Sequence, residues 1–343
     1  MGTPVTLPFA APTAYIRIDH YSAVHLAAET ARTAAKACGL SGALPDRAAV
    51  VASELASNVV KHATDGALYI QPLPLGGGLE ILAADHGPGM PHLQRCLTDG
   101  YSTTSTLGAG LGAVKRIATS FAIETQPGTG TLACARLALP GDLQAARQET
   151  GLVCLPADKE AQSGDTAAVL ETGTVRTAAV IDGLGHGPEA AEAARSALRC
   201  FHAAAEAPLP DILTAMHRAL RHSRGAAVGI TRLYADRAEY CGIGNVRLVI
   251  LSPQQVHHRV SGRPGVVGWR MPAPSVRRLR LPPGAAILMH SDGIDPRCSH
   301  TPSDFTLRLP VPLLAAAIAH RYRRFQDDAT VLTARPQREA SCT

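Results

Sequence analysis

The chain has 343 residues, of which 46% are hydrophobic, and its formal net charge is +5. This hydrophobic content excludes a largely disordered chain, and the length predicts two domains. Only 4% of the residues are aromatic, and no basic segment carries interleaved aromatic side chains. The composition therefore argues against a protein that binds nucleic acid.

Three features of the sequence predict the cellular location of the protein: the N-terminus, the apolar segments and the cysteines. Residues Met1 to Ala11 lack a basic segment followed by an apolar run, so we expect no signal peptide. Apolar stretches such as residues 313–319 are too short to cross a bilayer. The eight cysteines include no C-x-x-C pair, which argues against a structural zinc site and a disulfide framework. We expect a cytoplasmic protein that binds no membrane.

The first part of the chain alternates between strand-like and helix-like segments. A strand is predicted at 14–19, a helix at 22–37, and a second helix from a cap at Asp46 to about residue 63. Two strands flank the glycines at 76–78, a helix follows at about 111–120, and two strands flank the glycines at 128 and 130. This order predicts a mixed sheet with helices over residues 1–140, followed by a polar linker at 141–149.

The second part of the chain, predicted as a domain over residues 150–336 with a tail at 337–343, is rich in strand-like runs. These lie at 167–170, 174–181, 226–234, 247–251, 286–290 and 329–334, and helical patterns interrupt them at 189–204 and 211–221. A β-sandwich flanked by helices fits this order better than a doubly wound parallel sheet.

The second predicted helix carries the first candidate site residues. Glu54 and Asn58 are four residues apart, so their side chains share one helix face. A carboxylate can take a proton from an attacking hydroxyl group, and an amide oxygen suits Mg²⁺. Taken alone, the pair is also what an exposed helix face would carry.

Two glycine-containing motifs follow. Asp85-His86-Gly87-Pro88-Gly89 ends a predicted strand; its carboxylate can accept a hydrogen bond from the exocyclic amine of adenine, and the glycines let the backbone approach the ring. Gly108-Ala109-Gly110-Leu111-Gly112 opens a predicted helix, where exposed N–H groups can bind phosphate oxygens. Each motif alone is also compatible with an ordinary turn.

Together with Gly128-Thr129-Gly130-Thr131, these motifs resemble the nucleotide-binding boxes of the GHKL ATPase/kinase superfamily, whose fold places helices on one face of the sheet. The stretch from Asp99 to Gly108 resembles the ATP lid of the RsbT-type anti-sigma-factor serine kinases. The resemblance implies ATP and Mg²⁺ as cofactors, with Glu54 as general base and Asn58 as the Mg²⁺ ligand. The implied nucleotide contacts are Asp85, Gly87, Gly89, Gly108, Gly110, Leu111, Gly112 and Thr129. The implied substrate is a serine or threonine of a STAS-domain antagonist protein.

Aspartates recur in the second part where predicted strands end or turn: Asp165, Asp182, Asp292 and the pair Asp327-Asp328. Aspartate beside glycine is ordinarily turn chemistry. Several carboxylates at strand ends can also converge on hard divalent cations, and two such ions can clamp a phosphate for in-line attack.

The motif Asp182-Gly183-Leu184-Gly185-His186-Gly187, with the later Gly-Ile-Gly-Asn, Ser-Asp-Gly and Asp-Asp-Ala-Thr runs, resembles the SpoIIE/RsbX-type serine phosphatases of the metal-dependent type 2C class. The resemblance implies a β-sandwich in which Asp182 is catalytic and bridges two Mn²⁺ or Mg²⁺ ions. The Gly183 carbonyl, Asp292 and Asp327 would complete the site, and Asp165 would either bind a metal or orient its water.

These resemblances leave two interpretations of function. In the first, the chain is a bifunctional partner-switching regulator that phosphorylates a STAS-domain antagonist and removes phosphate from the phosphorylated form, and so controls a sigma factor or another signalling output. In the second, the first half is an ATP-dependent binding module that sequesters a sigma factor or effector, and only the phosphatase half is catalytically active.

Overall fold

The computed structural model describes residues 13–97 and 110–337. The strands form three sheets, one from the first part of the chain and two from the second. Within the described residues, none of the helices has the length and apolar character needed to span a membrane.

The first part of the chain builds a five-stranded sheet with its helices on one face. The strands are β1 (Ala14–Ile18), β2 (Gly66–Pro72), β3 (Gly78–Asp85), β4 (Ser120–Gln126) and β5 (Gly130–Ala138). The helices are α1 (Tyr21–Ala37), α2 (Leu44–His62), α3 (Leu93–Cys96) and α4 (Gly110–Ile117).

The sheet has the order β1-β2-β3-β5-β4, and every neighbouring pair is antiparallel. The expectation of a mixed sheet is therefore wrong, although helices on one face of a sheet are confirmed. The reason lies in the connections. The α1–α2 hairpin returns the chain to the end of the sheet where β1 finished, so β2 runs back beside β1. The connection that contains α3 and α4 joins two parallel strands, β3 and β4, but β5 lies between them and is antiparallel to both.

Helices α1 and α2 present small and aliphatic side chains to the sheet, and their buried alanines and valines form a core with one face of β1–β5. Helix α2 begins at Leu44, with Ala43 at the cap position and Pro45 in the first turn. The predicted cap at Asp46 is wrong, because that carboxylate lies inside the helix and pairs with Arg32 at 3.0 Å. A proline in the first turn costs no backbone hydrogen bond, so the helix can begin without a side-chain cap.

The second part of the chain builds a two-sheet sandwich. Its strands are β6 (Thr150–Leu155), β7 (Asp165–Thr172), β8 (Val175–Gly183), β9 (Ala226–Leu233), β10 (Arg237–Ile243), β11 (Arg247–Leu251), β12 (Val256–Ser261), β13 (Arg277–Arg280), β14 (Ala286–His290) and β15 (Ala329–Ala334). Its helices are α5 (Pro188–Ala203), α6 (Leu209–Ala219), α7 (Asp304–Arg308) and α8 (Val311–Tyr322).

One sheet of the sandwich has the order β13-β10-β9-β8-β7 and the other β12-β11-β14-β15-β6. Aliphatic side chains from both sheets form the core between them. Helices α5 and α6 cover the outer face of the first sheet, and α8 packs on the outer face of the second. The predicted sandwich flanked by helices is confirmed, although the sequence patterns did not predict β6, β10, β12, β13 or α8.

Helix α8 also covers the second face of the N-terminal sheet. Side chains on that face, among them Tyr69, Leu82 and Leu132, share one buried core with Leu313, Leu314 and other residues of α8. The N-terminal sheet is therefore covered on both faces: by its own helices on one side and by a helix of the second domain on the other.

A buried polar network crosses the same interface. Glu80 and Arg136 are buried and form an ion pair at 2.5 Å. The Arg136 guanidinium also donates to the carbonyl oxygens of Gln148 (2.7 Å) and Thr150 (2.5 Å), which enter β6. Because a buried ion pair is favourable only when its remaining donors are satisfied, this network fixes the start of the second domain against the first.

Candidate nucleotide and metal sites

Asp85, at the end of β3, is the centre of the candidate nucleotide site. Its Oδ1 accepts hydrogen bonds from the backbone N–H groups of Gly87 (2.7 Å) and Thr131 (3.2 Å). Burial raises the pKa of Asp85, and the two backbone hydrogen bonds oppose that rise. With Oδ1 committed to the backbone, Oδ2 is the oxygen that can accept a hydrogen bond from a ligand amine.

Glycines let three backbone segments meet around Asp85. A Cβ atom at Gly130 would lie 1.9 Å from the Asp85 carbonyl oxygen, and one at Gly87 would lie 2.9 Å from Asp85 Oδ1. Gly89 has a φ of +73°, and a Cβ there would lie 2.7 Å from the carbonyl oxygen of Gln126. The β4–β5 hairpin thus closes on the loop after β3 at a distance that side chains would prevent.

Glu54 and Asn58 lie one helical turn apart on α2, and both side chains are partly exposed. The end of this helix adjoins the loop, since a Cβ at Gly87 would lie 3.0 Å from Ala63 Cα. The Asn58 amide nitrogen is buried and has no hydrogen-bond partner within the described residues. A buried amide left without a partner is costly, so this side chain fits a site that a bound ligand completes.

The predicted phosphate-binding segment is described only in part. Gly110, Leu111 and Gly112 form the first turn of α4, which packs on α2, and Gly110 has a φ of +60°. Gly108 and the rest of the lid lie outside the described residues. The phosphate-binding roles of this segment stay predictions.

The aspartates of the second domain come from four strand ends. Asp165 begins β7 and stands directly opposite Asp182 in the antiparallel β7–β8 pair. Asp292 follows β14 and Asp327 precedes β15, which are neighbours in the other sheet. The two sheets of the sandwich therefore bring these carboxylates together at one edge.

The pKa values of these carboxylates reflect both their burial and their closeness to one another. Burial raises the pKa of Asp182, and the negative charges of Asp165 and Asp292 raise it further. Burial also raises the pKa of Asp165 and of Asp327, with Asp292 adding to both shifts. Like charges held this close are unfavourable unless a proton or a cation neutralises them. We call these four residues the carboxylate centre.

Asp328 is the second member of its pair and has a different environment from Asp327. Both Asp328 oxygens accept backbone hydrogen bonds, from Ala157 (2.8 Å) and Gly164 (2.9 Å), and the side chain is buried. Asp327 accepts one backbone hydrogen bond, from Asp328 at 3.0 Å, and is partly exposed. This geometry agrees with the prediction that Asp327 is the ligand and gives Asp328 a structural role.

Glycines allow backbone segments to pass close to one another around the carboxylate centre. A Cβ at Gly183 would lie 2.4 Å from the Ala190 carbonyl oxygen, and one at Gly293 would lie 1.9 Å from that of Asp328. Asp165 Oδ2 is buried and has no hydrogen-bond partner within the described residues. Crowded carboxylate oxygens with an unpartnered acceptor are the donor set that Mg²⁺ or Mn²⁺ requires, so the residues present fit a divalent metal centre.

Both parts of the chain match known protein families. Residues 19–136 match the histidine kinase-like ATPase domain, and residues 173–337 match Stage II sporulation protein E (SpoIIE). The serine/threonine-protein kinase RsbT of Bacillus subtilis (strain 168) is 37% identical over 107 residues, which cover 31% of this chain and 80% of RsbT. The chain belongs to the RsbT family. It continues beyond the RsbT-type domain into a SpoIIE-type phosphatase domain, and both recognised resemblances are confirmed.

Solved structures resemble about half of the chain. A structure from work on the bacterial stressosome, a modular system adapted to control secondary messenger signalling, has 30% sequence identity. The match covers 54% of this chain and 98% of that one, with a TM-score of 0.50. The crystal structure of RsbX in complex with magnesium has 20% identity, covering 54% and 92% of the two chains with a TM-score of 0.48.

Sequence reasoning missed two polar residues of these sites. In the RsbT-type domain, Thr131 rather than Thr129 donates its backbone N–H to Asp85. The role of Thr129 stays a prediction. In the SpoIIE-type domain, the Asn245 amide donates to Asp292 Oδ2 at 2.7 Å. Asn245 lies in the predicted Gly-Ile-Gly-Asn motif, and an amide beside recurring aspartates was the signal for its role.

Proposed function

We propose that the chain is a bifunctional partner-switching regulator. Its RsbT-type domain would phosphorylate a serine or threonine on a STAS-domain antagonist protein, and its SpoIIE-type domain would remove phosphate from the phosphorylated form. The observation that carries the proposal is the convergence of the carboxylate centre. In the first domain, it is supported by the Asp85 carboxylate held on two backbone N–H groups and by the buried Asn58 amide nitrogen, which has no hydrogen-bond partner within the described residues.

In the kinase half, Asp85 would select adenine through its free oxygen, and Asn58 would hold the Mg²⁺ that accompanies the ATP phosphates. Glu54 lies one helical turn before Asn58, on the same face of α2, where it would accept the proton of the attacking hydroxyl group. The protein's contribution to this reaction is mainly positioning and charge stabilisation.

In the phosphatase half, Asp165, Asp182, Asp292 and Asp327 would hold two divalent cations, together with the Gly183 carbonyl. Bound cations supply Lewis-acid activation of water and of the phosphate. Asn245 would hold Asp292 in position through the hydrogen bond to Oδ2. The His186 ring, exposed and 2.9 Å from Glu160 Oε1, would stabilise the loop after β8.

The phosphatase half is tested by phosphate release from a phosphorylated STAS-domain protein. Release should require Mn²⁺ or Mg²⁺ and fall about a thousandfold in Asp182→Asn, because loss of the bridging carboxylate removes several kcal/mol of charge stabilisation. The matched control Asp158→Asn removes an exposed carboxylate of the same domain and should leave the rate unchanged. Undiminished release in Asp182→Asn would exclude the carboxylate centre as the active site.

The kinase half is tested by transfer of labelled phosphate from ATP to the STAS-domain protein. The Asp182→Asn variant is the one to use, since an active phosphatase would erase the product. Transfer should disappear when Asn58→Ala is added. If Asp182→Asn binds ATP and the STAS-domain protein but transfers nothing, the RsbT-type domain is an ATP-dependent binding module instead.

A further inference from the structure

Asp65, His86 and His320 come together where the two domains meet. Asp65 lies in the turn between α2 and β2 with a φ of +53°, His86 directly follows Asp85, and His320 belongs to α8. Asp65 Oδ2 is 3.4 Å from His86 Nδ1, and the His320 Nε2 atom is 3.3 Å from the Asp65 carbonyl oxygen. The two imidazole rings stack with their centres 4.7 Å apart.

The three side chains offer one ligand atom each, and these atoms all lie within 4.8 Å of one another. One carboxylate oxygen and two imidazole nitrogens form a donor set that favours late first-row divalent cations over Mg²⁺. The carboxylate centre of the SpoIIE-type domain, built from oxygen donors, has the opposite preference.

The contacts and burial of His320 determine its protonation and orientation. Its Nδ1 lies 3.1 Å from the hydroxyl oxygen of Tyr69, a buried residue of β2. Burial lowers the pKa of His320 to about 4, so the ring is neutral at pH 7. The Asp65 carbonyl oxygen can only accept, so without a metal Nε2 donates to it and Nδ1 accepts from the Tyr69 hydroxyl group. A metal at Nε2 would shift the proton to Nδ1, which would then donate to the Tyr69 oxygen, an arrangement typical of metal-bound histidines.

We propose that Asp65, His86 and His320 form a binding site for a late first-row divalent cation such as Zn²⁺, and that the ion clamps the SpoIIE-type domain to the RsbT-type domain. Two of the ligands belong to the first domain and one to the second, so the complete site exists only when α8 is docked on the N-terminal sheet.

The proposed cation site adjoins residues of both candidate active sites. His86 is adjacent in sequence to Asp85, and α8 ends just before Arg324, whose backbone N–H donates to the Gly293 carbonyl oxygen at 2.8 Å. The Arg324 guanidinium also donates to the Asp292 carbonyl oxygen at 3.3 Å. An ion at this site would restrain the loop beside the adenine-binding carboxylate and the helix beside the carboxylate centre together.

The experiment measures Zn²⁺ binding to the full chain in competition with a chromophoric chelator. The Asp182→Asn variant serves as background, because it weakens the carboxylate centre. This variant should bind one equivalent of Zn²⁺ tightly, and addition of His320→Ala or His86→Ala should weaken that binding at least tenfold. Co²⁺ should give the visible absorption bands of a nitrogen-ligated site in the background protein and lose them in both variants.

Two controls separate ligation from structure. Tyr69→Phe removes the hydroxyl group beside His320 but none of the ligands, so it should retain the equivalent of Zn²⁺. His25→Ala removes an exposed histidine of α1 and should have no effect. Equal Zn²⁺ affinity with and without His86 and His320, or less than one tightly bound equivalent in the background protein, would overturn the proposal whether or not kinase and phosphatase activities are found.

Discussion

The nucleotide pocket and the carboxylate centre meet the cost of buried charge in opposite ways. In the pocket, one carboxylate, Asp85, is satisfied by two backbone N–H groups. In the carboxylate centre, several aspartates raise one another's pKa. The Asp85 carboxylate is therefore satisfied by the protein itself, whereas the four aspartates repel one another unless a proton or a cation neutralises them. The comparison teaches that the hydrogen bonds of Asp85 add to the stability of the folded protein, whereas the repulsion among the aspartates lowers it, a cost typical of sites arranged for a ligand.

The first prediction tests whether nucleotide binding depends on Asp85. Asp85→Asn should weaken ATP binding about 10–100-fold, because a charged acceptor of the adenine amine is replaced by a neutral amide. Phosphate release by the SpoIIE-type domain should stay within about twofold, and isothermal titration calorimetry with a release assay measures both. Unchanged ATP affinity would remove Asp85 from the nucleotide site.

A second prediction concerns the close backbone approach around Asp85. Gly130→Ala should cost about 3 kcal/mol of unfolding free energy and abolish ATP binding, because its Cβ would lie 1.9 Å from the Asp85 carbonyl oxygen. Gly128→Ala is the matched control in the same hairpin. Its φ is also positive, but nothing lies within 4 Å of the added Cβ. The control should cost about 1 kcal/mol, as measured by urea unfolding. Equal effects of the two variants would show that the contact is unimportant.

Removal of one charge from the carboxylate centre should stabilise the metal-free protein while it impairs phosphate release. Without divalent metal at pH 8, the unfolding free energy of Asp182→Asn should be about 1–2 kcal/mol higher than that of the wild type, because one of the repelling charges is gone. Excess Mg²⁺ or Mn²⁺ should stabilise the wild type more than the variant. Thermal unfolding in EDTA and in Mg²⁺ measures both. A variant less stable than the wild type in EDTA would indicate that repulsion within the centre is minor.

The interface beside the pocket predicts a smaller effect that depends on pH. The pKa of His320 falls from 6.5 to about 4 on folding, so the unfolded state binds more protons between these values. The stability that a neutral His320 permits is present above pH 6.5 and lost as the pH falls towards 4. His86, Asp65 and Tyr69 face the ring. Burial is the main cause of the lowered pKa of His320; His86 lowers it further, and Asp65 opposes the shift.

His320→Gln tests this dependence in EDTA. Between pH 7 and pH 4.5, the wild type should lose up to about 2 kcal/mol more unfolding free energy than the variant. Urea unfolding at both pH values gives this difference. An identical loss in the two proteins would mean that His320 titrates normally in the folded state.

Sequence patterns indicated most of the candidate site residues because the motifs that contain them are local. The Asp-Gly pairs and the box containing Asp85 combine turn formation with function within a few residues, so their positions were readable before any fold was known. The hydrogen bond from Thr131 to Asp85 was not readable, since it depends on the register of β3 with β5, which brings Gly130 against the backbone of Asp85. Likewise, Asp65 and His320 meet across 255 positions of sequence.

Helix α8 shows why the fold prediction was incomplete. Its buried residues include Leu313, Leu314, Ala315, Ala316, Ile318 and Ala319, which do not leave a polar face. A helix buried between two sheets has no amphipathic period, so its pattern cannot be distinguished from other short apolar runs. The predicted mixed sheet failed because β5 lies between the parallel strands β3 and β4, a strand order that the local sequence pattern does not show.

The cover that α8 provides over Tyr69, Leu82 and Leu132 constrains how such a protein can be divided or recombined. A cut in the polar segment around residue 145 would separate the chain where its composition changes, yet it would expose a broad apolar sheet face on the first fragment. That fragment would aggregate or recruit a substitute partner. The two domains are therefore joined by a shared core as well as by the chain: the border readable in the sequence is not a border in the core.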